Sequence, residues 1–208
     1  MDAWTTEDLE FLASLRTPFG IQSFLDTLPY SEDPIYRSPL RVLRDEKAHC
    51  FDGALFGAAA LRVLGHKPII IELIAVRDDD HLLALYKMNG YLGAVSKSNF
   101  SGLRFREPVF KTLRELVLSY FEGYFNVNRE KTLRAYTVPL NLSQFDPLNW
   151  MTRDDGLEII ADKLDRIQKR QIVTPDTAAN LSPVDDRTYR AGMLGANQAG
   201  LYRPEAER

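Results

Sequence analysis

The stretch EKAHCFDGALFGAAALRVLG, residues 46–65, decides the fold and holds the single cysteine of the 208-residue chain. Cys50 stands where charged residues give way to small apolar ones, and Gly65 provides a stop signal. The pattern predicts a helix from about Cys50 to Leu64. Because its glycines and alanines are small, this helix can lie close to neighbouring backbone, as a central helix packed on a sheet does.

A strand and a hairpin are predicted directly after this helix. The run KPIIIELIAV, residues 67–76, is apolar and rich in β-branched side chains, which is typical of a buried strand. The segments HLLALYK and YLGAVSKS flank Asn89-Gly90, a pair that strongly favours a two-residue hairpin turn. With these two residues in the turn, Met88 pairs with Tyr91.

The rest of the chain predicts helices before this region and a mixture after it. Residues 5–16 and 20–30 favour short helices, and residues 31–49 a loop with one brief helical piece. Later segments predict a core helix over 108–126, a strand over 133–145 and an amphipathic helix over 156–173. The order indicates an α+β fold: one domain over 1–173 and an extended or poorly ordered tail over 174–208.

The overall composition excludes several classes of protein. The chain is 45% hydrophobic and 26% charged, with a net charge of −3, which is ordinary for a globular protein and does not attract nucleic acid. No apolar run approaches the roughly 18 residues of a membrane span, and the acidic N-terminus does not resemble a signal peptide. We therefore expect a cytoplasmic protein that binds neither nucleic acid nor membrane, and a homo-oligomer is compatible with the sequence.

Cys50 and His81 are the candidate catalytic residues. A thiol acts as a nucleophile when it is deprotonated, and the start of a helix lowers its pKa. His81 opens the strand after the buried one, where its imidazole can reach the sulfur and act as base. The hairpin register places His81 opposite Ser98, with Ser96 as its diagonal neighbour, so either hydroxyl could orient the ring.

These residues resemble the transglutaminase-like superfamily. The likeness covers about residues 45–100: a Cys opening a small-residue helix, then a strand, and a His at the head of the next strand. The resemblance implies a papain-like core and a catalytic triad, with Cys50 as nucleophile and His81 as base. The third family residue, an aspartate, falls near Ser96, and no carboxylate lies within 92–102.

The other ionisable residues of this region have simpler interpretations. His49 is expected to flank the site, since adjacent side chains diverge at a helix entry, and His66 to complete a helix C-cap. The cluster 78–80 of three aspartates is predicted to be a solvated loop rather than a metal site, because its spacing matches no calcium loop.

The sequence therefore supports two main functions. The first is a cysteine hydrolase or acyltransferase that cleaves a peptide, protein or small amide substrate through a thioester, without a cofactor. The backbone N–H of Cys50 would help to stabilise the oxyanion, with Tyr36 or Gln22 as candidate second donors. The second is an impaired relative that binds a peptide or protein, and a weaker third option is a structural interaction protein.

Overall fold

The computed structural model describes residues 3–203. Its helices are α1 Thr6–Ser14, α2 Pro18–Thr27, α3 Pro39–Asp45, α4 Cys50–Val63, α5 Leu113–Leu118, α6 Leu157–Arg166, α7 Pro175–Ala179 and α8 Asp186–Gly192. Its strands are β1 Ile69–Ala75, β2 His81–Met88, β3 Tyr91–Val95, β4 Arg106–Phe110, β5 Leu133–Thr137, β6 Leu140–Asn141 and β7 Lys169–Gln171. Short 3-10 segments span Ser101–Leu103, Phe121–Gly123 and Leu142–Leu148.

The strands form an antiparallel sheet with helices on both faces. The order across the sheet is β4-β3-β2-β1-β5-β7, and β6 also pairs with β1. One face packs against α4 and its neighbours, and the other packs against the segment around α5. The fold is therefore α+β, with the helix that begins at Cys50 lying on the sheet.

Small residues bring α4 close to the sheet. A Cβ added to Gly53 would lie 2.2 Å from the Cβ of Lys97, and one added to Gly57 would lie 3.1 Å from that of Ala84. Larger side chains at these two glycines would push the helix away. The helix ends as expected, because Gly65 adopts a left-handed backbone with φ of +88°.

The hairpin confirms the predicted register as far as Val95. Met88 pairs with Tyr91 across the turn, and Ala84 pairs with Val95. The pairing then stops, so the predicted alignment of His81 with Ser98 is not part of the ladder. His81 pairs on its other side with Leu73 of β1.

The predicted core helix over 108–126 is wrong. The structure has strand β4, helix α5 and a 3-10 turn there, because β4 pairs with the outer edge of β3. Thr112 then begins α5 through a capping box with Glu115. Apolar spacing alone did not reveal that the sheet edge would take up the first part of the segment.

Two further boundaries differ from the prediction. The strand expected over 133–145 is confined to β5 and the two-residue β6, after which the chain forms a 3-10 segment. The helix expected over 156–173 ends at Arg166, and β7 follows it and pairs with β5.

Of the tail expected over 174–208 to be extended or poorly ordered, residues 174–203 contain α7 and α8, and residues 204–208 lie outside the described part of the chain. Helix α8 is anchored to the body of the protein by an ion pair of 2.9 Å between Arg129 and Asp186, and by the Ser101 hydroxyl, which donates to Ala191 O at 2.6 Å. Long-range side-chain contacts therefore order a segment whose composition suggested disorder. Between residues 3 and 203, the helices lack the length and apolar character needed to cross a bilayer.

Candidate active site

The N-terminus of α4 positions Cys50. His49 caps the helix through its ring nitrogen Nδ1, which accepts from the Phe51 N–H at 3.2 Å, while Asp52 accepts from the His49 N–H at 3.3 Å. His49 is thus occupied by capping, as a flanking residue. The Cys50 thiol donates to the carbonyl oxygen of Asp80, 3.7 Å away.

Burial controls the ionisation of Cys50 more strongly than the helix start does. Burial, with the nearby carboxylates of Asp79 and Asp52, raises the pKa of the Cys50 thiol to about 12. The backbone N–H of Phe51 opposes this increase but does not cancel it. The lowered thiol pKa that we expected from the helix N-terminus is therefore not observed, and the thiol is neutral at pH 7 in this conformation.

Tyr30 is the aromatic neighbour of Cys50. Burial and the proximity of Cys50 and Asp79 raise the pKa of the Tyr30 phenol well above its usual range, and the phenol interacts with the Cys50 thiol and backbone N–H. The sequence analysis missed this residue. It lies in the loop after α2, and no motif surrounds it in the sequence.

His81 is held on the side of the sheet that faces α5. Its Nε2 lies 2.8 Å from Leu103 O and 3.3 Å from Ser96 Oγ. A carbonyl oxygen only accepts, so Nε2 carries the proton and the lone pair of the neutral ring is on Nδ1. Burial is the main cause that lowers the pKa of His81, to about 4, so the ring is neutral at pH 7.

Ser96 contacts His81, whereas Ser98 does not take the predicted orienting position. The Ser96 hydroxyl donates to Leu103 O at 2.8 Å, the same oxygen that binds the imidazole. The Ser98 hydroxyl instead accepts from the Phe100 N–H at 3.0 Å, because the chain leaves the hairpin ladder after β3. Ser96 is thus the serine that can orient the ring, together with a backbone carbonyl.

Gln22 supports Ser96 and is not free to bind an oxyanion. Its Nε2 donates to Ser96 O at 3.0 Å, and its Oε1 accepts from the Ser96 N–H at 3.0 Å. The other candidate donor, Tyr36, stacks on Phe51 with ring centroids 4.3 Å apart and is 37% exposed. Of the two candidates, Tyr36 is the exposed one, and its ring lies beside Phe51 in the first turn of α4.

Cys50 and His81 line one small cavity. It has a volume of about 30 Å³, room for about one water molecule, and Ser98 and Leu103 also contribute to its wall. On its other side, Cys50 borders a groove of about 360 Å³ that also contacts Tyr30. The two catalytic candidates therefore share a space that is too small for a peptide in this conformation.

Two of the three aspartates before His81 are less solvated than predicted: Asp78 and Asp80 are half-buried, whereas Asp79 is exposed. Asp78 accepts from the Thr132 hydroxyl at 2.6 Å, and Asp80 accepts from the Ala75 N–H at 2.7 Å. Burial raises the pKa of all three carboxyls, that of Asp78 to about 6. The cluster shapes the β1–β2 connection, and the His, Cys, Asp and Glu side chains of residues 3–203 form no group that could hold a metal ion.

Comparison with known proteins gives partial structural likenesses. No family model and no curated protein matches the sequence. Legionella pneumophila LapG is similar at 17% identity over 42% of this chain and 59% of that chain, with a TM-score of 0.35. Its EGTA-treated form is similar at 17% identity over 43% of this chain and 57% of that chain, with a TM-score of 0.34. The chain thus spans under two thirds of the length of these structures.

Proposed function

We propose that this protein is a cysteine-nucleophile hydrolase or acyltransferase of the transglutaminase-like type, acting on amide or ester bonds. The observation that carries the proposal is the tautomer of His81. Leu103 O holds the proton on Nε2, which leaves Nδ1 as the basic nitrogen of a ring that shares a cavity with Cys50.

The reaction follows from these two groups. His81 accepts the thiol proton as Cys50 Sγ attacks the carbonyl carbon. The resulting oxyanion is stabilised by the backbone N–H of Cys50, where it takes the place of the Tyr30 hydroxyl. The imidazolium then gives its proton to the leaving amine or alcohol, and a thioester forms on Cys50. Water or an amine, deprotonated by His81, attacks the thioester and restores the thiol.

Ser96 is the third member of the proposed site. Because a hydroxyl and a carbonyl oxygen are neutral, they orient the ring but stabilise the imidazolium less than a carboxylate would. The site is therefore expected to work more slowly than one that contains an aspartate in this position.

A small activated ester tests the proposal. With p-nitrophenyl acetate, we expect a burst of p-nitrophenol and an acetyl group on Cys50, detected by mass spectrometry of peptides. Cys50→Ala should abolish both. Ser96→Ala should slow the burst about five- to tenfold, the effect of one lost hydrogen bond of about 1 kcal/mol.

Ser98→Ala is the matched control for the ester assay. Its hydroxyl lies in the same loop but binds the Phe100 N–H, so its burst rate should stay within about twofold of the wild type. Acetylation at lysines only, or a burst that survives Cys50→Ala, would contradict the proposed nucleophile.

The raised thiol pKa and the groove beside Cys50 favour a second candidate function. With both Cys50 and His81 neutral, the groove of about 360 Å³ would bind a peptide or protein that is not cleaved. Specific peptide binding with no thioester in the ester assay would select this function.

A further inference from the structure

The C-terminal segment, residues 193–203, runs across the candidate site. The Asn99 side chain both accepts from and donates to the backbone of this segment. Its Oδ1 accepts from the Asn197 N–H at 2.7 Å, and its Nδ2 donates to Asn197 O at 2.9 Å and to Gly200 O at 3.2 Å. These bonds use main-chain groups of the segment. Residues 198–200 form a bend and a turn, in which Asn197 Oδ1 accepts from the Ala199 N–H at 3.1 Å. Every peptide has such main-chain groups, so the same amide can bind a turn of another chain.

A glycine lies directly against Tyr30. A Cβ added to Gly200 would be 2.9 Å from Cδ1 and 3.2 Å from Cε1 of the Tyr30 ring, so a larger residue would force the two apart. Asn197 holds the same loop, because its Nδ2 donates to Tyr30 O at 3.2 Å. The site thus has a polar contact for the peptide backbone and a flat aromatic surface that admits a glycine.

The same segment restricts access to Cys50. Gly200 and Tyr202 line both the small cavity and the adjoining groove, and Leu201 is buried. Tyr30 lies between the segment and Cys50, since it contacts Gly200 on one side and the thiol on the other. Removing the segment would expose the ring, the groove and the sulfur together.

We propose that Asn99 and Tyr30 form a recognition site for a peptide turn with a glycine over Tyr30, and that Asn197–Tyr202 occupy this site as an internal competitor. The inference that the bound peptide is also a substrate rests on the proposed function. The inference that the segment occupies the recognition site does not. Asn99 acts as the residue that binds the peptide backbone. The segment restricts access to the half-buried Cys50 until a partner peptide displaces it.

The test uses the full-length protein with Gly200→Val, which places side-chain carbon against the Tyr30 ring. Displacement of the segment should increase the rate of Cys50 alkylation by iodoacetamide at pH 7.5 by about tenfold or more, because the reaction requires an open site. Gln198→Val is the matched control, since Gln198 is an exposed neighbour in the same segment and should react at the wild-type rate within about twofold.

Peptide binding provides the second measurement. The probe is a fluorescein-labelled synthetic peptide with the sequence of residues 194–203, LGANQAGLYR, and its binding is measured by fluorescence anisotropy. It should bind to the Gly200→Val variant. It should bind poorly to the wild type, because the intact segment competes for the site. Adding Asn99→Ala to Gly200→Val should weaken this binding about tenfold or more, because several backbone hydrogen bonds are lost. Asn99→Ala alone should accelerate alkylation, which tests displacement in a second variant.

The outcomes separate this inference from the proposed function. Faster alkylation with Asn99-dependent peptide binding supports the internal competitor, even if no thioester ever forms with the ester. Unchanged alkylation in Gly200→Val and in Asn99→Ala, with no peptide binding, would overturn it. In that case an acetylated Cys50 in the ester assay would still support the proposed hydrolase.

Discussion

Burial of His81 makes the stability of the protein depend on pH in a definite direction. The side chain is 4% exposed and its pKa is lowered to about 4, against about 6.5 in an unfolded chain. At pH values between about 4 and about 6.5, His81 is protonated in the unfolded state but not in the folded state. The contribution of the neutral ring is therefore complete above about pH 6.5 and is lost as the pH falls towards 4.

The difference between the folded and unfolded pKa gives the size of the effect. Lowering the pH from 7 to 4.5 should reduce the free energy of unfolding by about 2.5 kcal/mol through His81 alone. Glu72 and Asp78 act in the opposite direction: burial raises their pKa values to about 7 and about 6, so they take up protons in the folded state first. The effect of His81 must therefore be isolated by a variant.

His81→Gln isolates it, because glutamine does not titrate but keeps an N–H that can donate to Leu103 O. Urea unfolding of both proteins at pH 7 and pH 4.5 gives the free energy of unfolding under each condition. The decrease from pH 7 to pH 4.5 should be about 2.5 kcal/mol larger for the wild type than for the variant. Equal pH dependence in the two proteins would refute a neutral, buried His81.

The fold makes two further predictions about stability, both measured by urea denaturation. Gly53→Ala should lower the free energy of unfolding by about 2 kcal/mol or more, because the new Cβ would lie 2.2 Å from that of Lys97. A Cβ added to Gly65 meets nothing within 4 Å, so Gly65→Ala should lower the free energy of unfolding by only about 1 kcal/mol, through backbone strain. Equal losses at Gly53 and Gly65 would argue against the close approach of α4 to the sheet. Arg37→Met should lower the free energy of unfolding by about 3–5 kcal/mol, because it removes the cation that lies 3.4 Å from the buried Asp52 carboxylate. Adding Asp52→Asn should recover part of that loss. A decrease under about 1 kcal/mol for Arg37→Met would contradict the buried ion pair.

The elements that local sequence could predict are those with strong local signals. Asn89-Gly90 predicted the hairpin and its register up to Val95, and Gly65 predicted the end of α4. The segment 108–126 has apolar residues that suit either a helix or an edge strand. Pairing with β3 chose the strand, and that choice depends on a part of the chain that the local pattern does not contain.

The candidate site also combines residues that have a local sequence signal with contacts that have none. Cys50 and His81 were predicted to share a site because each stands at the start of its own element, and both line one cavity. The acceptor for His81 is a backbone carbonyl, and every residue has one, so the sequence contained no signal for Leu103. The contact of Tyr30 with Asn197 joins residues 167 positions apart, a separation at which no sequence pattern connects them.

The central claim, that Cys50 and His81 act as a pair, is tested most directly by the rate of Cys50 alkylation with iodoacetamide as a function of pH. The measurement compares the wild type with His81→Gln. Our account predicts that the variant reacts at least about tenfold more slowly at pH 7.5, because the base that accepts the thiol proton during the attack is absent. Superimposable profiles in the two proteins would contradict it.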